Sequence, residues 1–318
     1  MNIEQTPGRP VDEAKPQLGF LGMGAMGSRL AARLLQAGYP LMVYDRTRAK
    51  TLPVAHLGAR VADAPSDLAA QVSVVFSSLA DDAAVEAVLA GPEGAFAGAV
   101  AGTLFIEMST ILPEISRTLA AAARARGMDL LDAAISGSTP QVEAGTITLL
   151  VGGDQAVYER CLPILLTLTE RCFYMGPSGM GTAMKLVVNT LLGVEIQVLA
   201  EAVALGEKAG LEKERLLDVL AQTAVISPRQ KLAMDNVRRE EYPTTFALQL
   251  MHKDFGLILR EAGALRVPMP VTAAAEQLTG VELASGEDGD ITMSIRWMED
   301  LAGIASSENT ASQEPGQA

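Results

Sequence analysis

Leu18-Gly-Phe-Leu-Gly-Met-Gly-Ala-Met-Gly27 is the stretch on which the reading of the whole chain turns. Leu18–Leu21 is a short apolar run that enters a glycine-spaced turn, Gly22-Met23-Gly24-Ala25-Met26-Gly27. Ser28-Arg-Leu-Ala-Ala-Arg-Leu-Leu-Gln-Ala37 then follows with helical spacing and stops at Gly38. The order is strand, turn, helix. Glycines in these places permit a tight turn, let a pyrophosphate approach the backbone, and allow the helix to pack closely, while the helix start offers free N–H groups and a positive dipole. The glycine spacing alone is weak; here a second strand, Leu41-Met-Val-Tyr44, follows and ends in Asp45 at the spacing a dinucleotide fold uses for its ribose contact. A dinucleotide-binding site is expected over Gly22, Met23, Gly24, Ala25, Met26 and Gly27.

The turn after that second strand, Asp45-Arg46-Thr47-Arg48, carries two signals. Asp45 can accept from a ribose 2′-hydroxyl, which favours NAD. Arg46 and Arg48, with the Thr47 hydroxyl, can hold a 2′-phosphate, which favours NADP. The reading leans to NADP, with NAD kept open.

Outward from there, strand and helix alternate: Val72–Phe76 then Asp81–Leu89, and Thr103–Ile106 then Pro113–Arg126. This pattern predicts a parallel, doubly wound sheet whose ligands gather at the C-terminal strand ends. The loops there, Ser77-Ser-Leu79-Ala80 and Glu107-Met-Ser109-Thr110, border the expected cofactor cleft; by spacing alone, Ser109 and Thr110 read as caps for the helix at Pro113. Met128–Leu131 is a further strand, followed by Asp132-Ala-Ala-Ile-Ser136-Gly137-Ser138, read as leading into a small polar turn able to hold a carboxylate on N–H groups and a hydroxyl, or to be a plain turn.

Past Gly176-Pro-Ser-Gly179 everything reads as helix. Gly179-Met-Gly-Thr-Ala-Met-Lys185-Leu-Val-Val-Asn189 opens a helix expected from Met180 to Lys208, roughly 44 Å long. Lys185 and Asn189 are at i and i+4, on one face. So many apolar residues surround them that the helix is expected to be buried nearly all round. Burial lowers a lysine's pKa and makes it a proton donor and acceptor near neutrality; the alternative is a lysine that snorkels to the surface. Further helices are expected over Glu212–Ala224, from Ser227-Pro228 to Pro243, and over Phe246–Ala264, with shorter ones near Thr272–Leu283 and Thr292–Ala302.

Composition narrows the function. The 318 residues are 49% hydrophobic, which suits a globular chain of two domains. A net charge of −13 without clustered Lys and Arg speaks against nucleic acid. Two histidines, His56 and His252, argue against a histidine-built metal site, and no metal is expected. Two cysteines, Cys161 and Cys172, give no disulfide framework and point to a reducing cytoplasm. No membrane partner is expected. Residues 1–16 read as a flexible leader and 305–318 as a disordered tail, around a Rossmann domain over 17–177 and a helical substrate and oligomerisation domain over 178–304.

Taken together, these blocks resemble the β-hydroxyacid dehydrogenase family, typified by 3-hydroxyisobutyrate dehydrogenases and tartronate semialdehyde or glyoxylate reductases. The match lies in Gly22–Gly27; in Asp132–Gly137 with Gly145-Thr146 and Val151-Gly-Gly153; in Gly179–Asn189; and in Lys253-Asp254. The resemblance implies a Rossmann-type doubly wound sheet followed by an all-helical domain. It also implies Lys185 as the catalytic lysine, Asn189 as a substrate-holding residue, and Ser136, Gly137 and Ser138 at the substrate carboxylate. Leu79, Ala80, Thr110 and Lys253 would line the cofactor and active-site cleft. Ser138 replaces a glycine, and Ala80 a proline, that the family often carries. The expected reaction is hydride transfer between NAD(P) and a small β-hydroxy acid or its semialdehyde, in a homodimer or homotetramer. The alternatives are an imine reductase, which Lys185 speaks against, and a non-catalytic NADP-binding sensor.

Overall fold

The structure is a computed structural model and describes residues 15–304. Most of the expected leader and all of the expected tail lie outside the described residues. The strands are β1 (Leu18–Leu21), β2 (Leu41–Tyr44), β3 (Arg60–Val61), β4 (Val74–Ser77), β5 (Leu104–Glu107), β6 (Asp129–Ser136), β7 (Thr148–Gly152) and β8 (Arg171–Gly176). In the first part of the chain the helices are α1 (Ala25–Gln36), α2 (Leu52–His56), α3 (Pro65–Ala69), α4 (Asp82–Ala90), α5 (Ala95–Gly98), α6 (Pro113–Arg124), α7 (Thr139–Ala144) and α8 (Gln155–Leu165). Beyond Gly176 they are α9 (Met180–Lys208), α10 (Lys213–Ala221), α11 (Pro228–Arg239), α12 (Leu248–Leu265), α13 (Pro270–Ala284) and α14 (Ser294–Leu301).

The eight strands form one sheet in the order β3-β2-β1-β4-β5-β6-β7-β8. The order reverses between β1 and β4, which is where an open α/β sheet opens its ligand crevice. Apolar side chains cover both faces. Leu30 and Leu34 of α1 pack with Phe20, Phe76 and Ile106 on one face, and Leu89 and Leu119 pack with Phe105 and Leu130 on the other. Continuous burial explains why these strands read as unbroken apolar runs.

The sheet departs from the expected all-parallel arrangement at one seam. β6 and β7 are antiparallel, with Asp132 opposite Gly152 and Ser136 opposite Thr148. β6 continues to Ser136, so Asp132–Ile135 is buried strand that leads directly into the bend at Gly137. Between β6 and β7 the chain inserts α7, which has no counterpart among the expected elements.

The helical part packs around α9, whose bounds match those expected. Leu186, Ile196, Leu199, Ala200 and Val203 of α9 enclose a core with Leu217, Met234, Met251, Phe255 and Ile295. Burial all round was expected and is not found: Val187 is 56% exposed, Leu191 70%, Val198 50% and Leu205 72%, a continuous stripe along one side. Among the described residues α9 is also the one helix long and apolar enough to cross a membrane. Its other side lies in the protein core and carries buried Lys185, Asn189 and Gln197.

Candidate active site

The glycine turn is fixed by sterics. Gly22 has φ +95°, and a Cβ there would stand 2.2 Å from the Ser78 carbonyl oxygen. A Cβ on Gly27 would stand 2.0 Å from the Gly22 carbonyl oxygen, whereas one on Gly24 meets nothing within 4 Å. The turn is therefore packed from below and open above, at the N-terminus of α1, with no acidic residue in that helix's first turn. This cradle fits a pyrophosphate. Asp45 braces it: Met23 N–H donates to Oδ2 and Thr47 N–H to Oδ1, both at 2.7 Å. Arg48 is paired with Asp63 at 2.6 Å, while Arg46 is exposed and has no ion pair among the described residues.

The two loops on the cofactor side are tied to each other and to the helical part. Ser109 Oγ accepts from Leu79 N–H at 2.8 Å, and Ser109 N–H donates to Glu107 Oε1 at 2.9 Å. Ser109 thus holds the Leu79 loop and does not cap α6, whose N-cap is Leu112. Burial pushes the Glu107 carboxyl up to about 7 against the pull of its Ser109 hydrogen bonds. From α12, Lys253 Nζ donates to the carbonyls of Ala80 (3.2 Å) and Thr110 (3.0 Å) and lies 3.0 Å from Asp254 Oδ1. Lys253 therefore joins α12 to the Ala80 and Thr110 loops.

Lys185 is 7% exposed, one turn before the fully buried Asn189. Burial lowers its pKa to about 8; the Asp254 carboxylate opposes that shift and the Lys253 cation adds to it. Asn189 Nδ2 donates to Asp254 Oδ2 at 2.5 Å, which leaves Asn189 Oδ1 without a partner among the described residues. An unpaired amide oxygen beside a lysine poised near neutrality suits a group that carries both a hydroxyl proton and an oxygen.

Ser136 ends β6. Gly137, at φ +150°, has Ile147 Cγ2 2.8 Å from where a Cβ would sit. Ser138 caps α7 and commits its N–H and its hydroxyl to Gln141 Oε1, at 2.9 and 3.0 Å, so Ser136 and the Gly137 backbone are the freer part of this turn. The structure thus links Asn189, Lys253, Ala80 and Thr110 through Asp254 and α12, with Lys185 one turn before Asn189 and under the influence of the Asp254 charge, and it links Met23 with Asp45 and Thr47 through the glycine turn. The Ser136–Ser138 turn shares no hydrogen bond with Lys185 or Asn189. Two residues acquire roles that their place in the sequence did not give them. Asp254 was visible only as Lys253's neighbour. Asp132 was visible only as the head of a block, yet its carboxylate accepts from Gly179 N–H at 2.8 Å and Thr182 N–H at 2.9 Å at the start of α9.

The chain matches two family models: the NAD binding domain of 6-phosphogluconate dehydrogenase over residues 17–176, and the NAD-binding domain of NADP-dependent 3-hydroxyisobutyrate dehydrogenase over 179–298. It is 34% identical over 296 residues to 2-(hydroxymethyl)glutarate dehydrogenase of Eubacterium barkeri, covering 92% of this chain and 98% of that one. It is 35% identical over 268 residues to 3-hydroxyisobutyrate dehydrogenase of Pseudomonas aeruginosa, covering 82% and 90%. Among solved structures, Mycobacterium tuberculosis 3-hydroxyisobutyrate dehydrogenase with L-serine superposes with a TM-score of 0.81 at 28% identity, over 89% of this chain and 99% of that one.

Proposed function

The chain belongs to the β-hydroxyacid dehydrogenase family, and from that premise we propose how its own residues carry out the reaction. It is an NAD(P)-dependent oxidoreductase acting on the CH–OH of a small hydroxy acid, or in reverse on the corresponding semialdehyde or keto acid. The nicotinamide, when bound, supplies or takes up the hydride. In the reductive direction Lys185 holds a proton at Nζ and delivers it to the substrate oxygen, and its charge stabilises that oxygen as negative charge grows there. In the alcohol form, Asn189 Oδ1 accepts from the hydroxyl, and Asp254 keeps the amide turned. The Ser136–Gly137 turn takes the carboxylate, with Ser138 holding the turn on α7. Gly22–Gly27 hold the pyrophosphate, and Leu79, Ala80, Thr110 and Lys253 form the wall beside the nicotinamide. Because Asp45 is occupied by two backbone N–H groups and Arg46 has no ion pair among the described residues, NADP is the preferred cofactor in this reading.

The observation that carries the proposal is Lys185: almost fully buried, with its pKa drawn down to about 8 by that burial. The exposed stripe Val187, Leu191, Val198 and Leu205 supports a homodimer or homotetramer joined along α9. We read the two units of the chain as 17–177 and 178–304, and the compartment as the cytoplasm, since Cys161 and Cys172 are both free thiols.

The test is loss of reduced-nicotinamide absorbance with NADPH and NADH in parallel, against glyoxylate, tartronate semialdehyde, methylmalonate semialdehyde and succinic semialdehyde. Turnover of at least one is expected. In Lys185→Ala it should fall by about 100- to 10,000-fold, the usual worth of positioned proton transfer, while cofactor still binds. An active Lys185→Ala enzyme overturns the lysine's role. Silence on all four with cofactor bound, and turnover of a cyclic imine, would move the reaction to C=N reduction.

A further inference from the structure

We propose that Asp132 is a positioning residue: by holding the start of α9 against the middle of β6, its carboxylate sets Lys185 relative to the Ser136–Gly137 turn. The inference rests on the proposed role of Lys185 and adds a residue to it.

Asp132 is fully buried within a strand that is otherwise apolar between Leu130 and Ile135. A buried carboxylate is costly unless its oxygens are satisfied. Here Oδ1 accepts from Gly179 N–H and Oδ2 from Thr182 N–H, with the Thr182 hydroxyl 3.5 Å from Oδ2. These are N–H groups that the first turn of a helix leaves unpaired, and a negative charge at that end is favoured by the helix dipole. Most helices take such a cap from a Ser, Thr, Asp or Asn at the N-cap itself. The N-cap of α9 is Gly179, at φ +90° and without a side chain, so the cap comes from a strand 47 residues earlier.

Room for that carboxylate is made by two glycines from separate elements. A Cβ on Gly152, across from Asp132 on β7, would lie 2.7 Å from both carboxylate oxygens. A Cβ on Gly181 would lie 2.8 Å from Oδ2 and 2.4 Å from the Leu150 carbonyl oxygen. Three blocks of sequence that are remote from one another thus meet at one point. From that point two stiff elements run to the site. Ser136 is four residues along β6, on the same face as Asp132, at about 13 Å. Lys185 is six residues along from Gly179, at about 9 Å of helix rise. A local N-cap would stabilise α9 equally well and leave its position on the sheet unset; a cap reaching from β6 fixes both.

The experiment compares Asp132→Asn with Ser227→Ala in the full-length enzyme. Asparagine keeps the shape but removes the charge and turns an NH₂ toward one N–H donor. Ser227 caps α11, where its hydroxyl accepts from Gln230 N–H, and has no part in the site. Both variants should melt earlier. Only Asp132→Asn should lose kcat, on the order of 100-fold for a displacement near 1 Å, with a raised KM for the carboxylate substrate and an unchanged NADPH Kd. Thr182→Ala, a milder lesion that removes the hydroxyl and its γ-methyl but keeps the Thr182 N–H bond to Oδ2, should fall between Asp132→Asn and the parent in kcat. The proposal is overturned if Asp132→Asn and Thr182→Ala keep the parent kcat, or if Ser227→Ala loses kcat as much as Asp132→Asn. Either outcome leaves the Lys185 reading standing, because that reading falls only with an active Lys185→Ala enzyme.

Discussion

In the proposed site, residues 22–137 contribute mainly backbone, whereas residues 185–254 contribute buried side chains. On the first side are the open glycine turn, the carbonyls of Ala80 and Thr110 and the Gly137 peptide. On the second are Lys185, Asn189, Lys253 and Asp254, one amide and three charged groups within one cluster. The difference separates two kinds of fragility. A backbone site tolerates neighbouring side-chain changes but not an added Cβ where the chain needs a left-handed φ. A side-chain cluster tolerates small backbone shifts, but its members set one another's protonation, so one substitution retunes the rest.

On the backbone side the largest effect is expected at Gly22. Gly22→Ala forces a Cβ into a left-handed residue 2.2 Å from the Ser78 carbonyl. Overpacking costs about 1–3 kcal/mol and the unfavourable φ about 1–2 kcal/mol more. NADPH affinity should fall on the order of 100-fold, measured by fluorescence titration. Gly24→Ala is the matched control, because its Cβ meets nothing in the chain within 4 Å: the fold should be unaffected, and any loss of affinity reports the cofactor's own occupancy of that space. An equal loss of thermal stability at the two glycines would break the claim that the turn is packed only from below.

At the edge of the same site a side chain takes over. A charged hydrogen bond contributes about 1.5–3 kcal/mol. Arg46→Gln should therefore lower the preference for NADPH over NADH by roughly 10- to 100-fold, read as the ratio of kcat/KM values. Arg48→Gln should move it far less, since Arg48 is already engaged by Asp63. The reverse ranking would show that the Arg48–Asp63 pair opens when cofactor binds.

The side-chain cluster should respond to pH. Lys185 must be protonated to reduce the substrate, so reduction falls as pH rises through its pKa, near 8. Asp254 raises that pKa and Lys253 lowers it. Asp254→Asn should therefore move the alkaline limb of kcat/KM for reduction to lower pH. At a fixed alkaline pH, a pKa lower by one leaves about a tenth of the protonated lysine, and the rate falls about tenfold with it. Lys253→Gln should move the limb the other way. Movement in the same direction in both variants would mean that Lys185 is not the group being titrated.

The two sides also differ in how far the sequence revealed them. The glycine turn and the span of α9 were legible because each depends on neighbours within a few residues: strand, turn and helix periodicity, with Lys185 and Asn189 spaced i, i+4 on one face. The direction of β7 was not, since an apolar strand reads alike both ways. The connection from Ser136 to Thr148 holds only α7 and two short turns, and a parallel crossover asks for about a dozen residues or more. Ser109 resembled a helix cap because Pro113 follows it, and its bond to Leu79 spans 30 residues. The cap of α9 by Asp132 and the Asn189–Asp254 bond span still more. What was missed is consistently side-chain hydrogen bonding between remote elements, which leaves no local period. The exposed stripe of α9 was missed for a related reason: composition gives the number of apolar residues and not the face left for a partner.

The smallest effect is expected where the two sides touch in water. α12 sends two cations across the cleft from positions 253 and 260, seven residues apart and so on one helix face. Lys253 reaches the Ala80 and Thr110 carbonyls from a largely buried position, while Arg260 reaches Asp82 Oδ2 at 3.4 Å with 60% of its side chain exposed. Asp82 Oδ1 in turn accepts from Leu112 N–H, so the outer pair rests on a braced partner. An exposed pair is worth about 0.2–1 kcal/mol and is screened by salt. Arg260→Gln should therefore change KM for the cofactor by no more than about fivefold, and the change should vanish at high ionic strength. A tenfold, salt-insensitive effect would mean that the outer contact tightens in the working enzyme, and that the side chains of α12 hold the two sides together from the rim as well as from the interior.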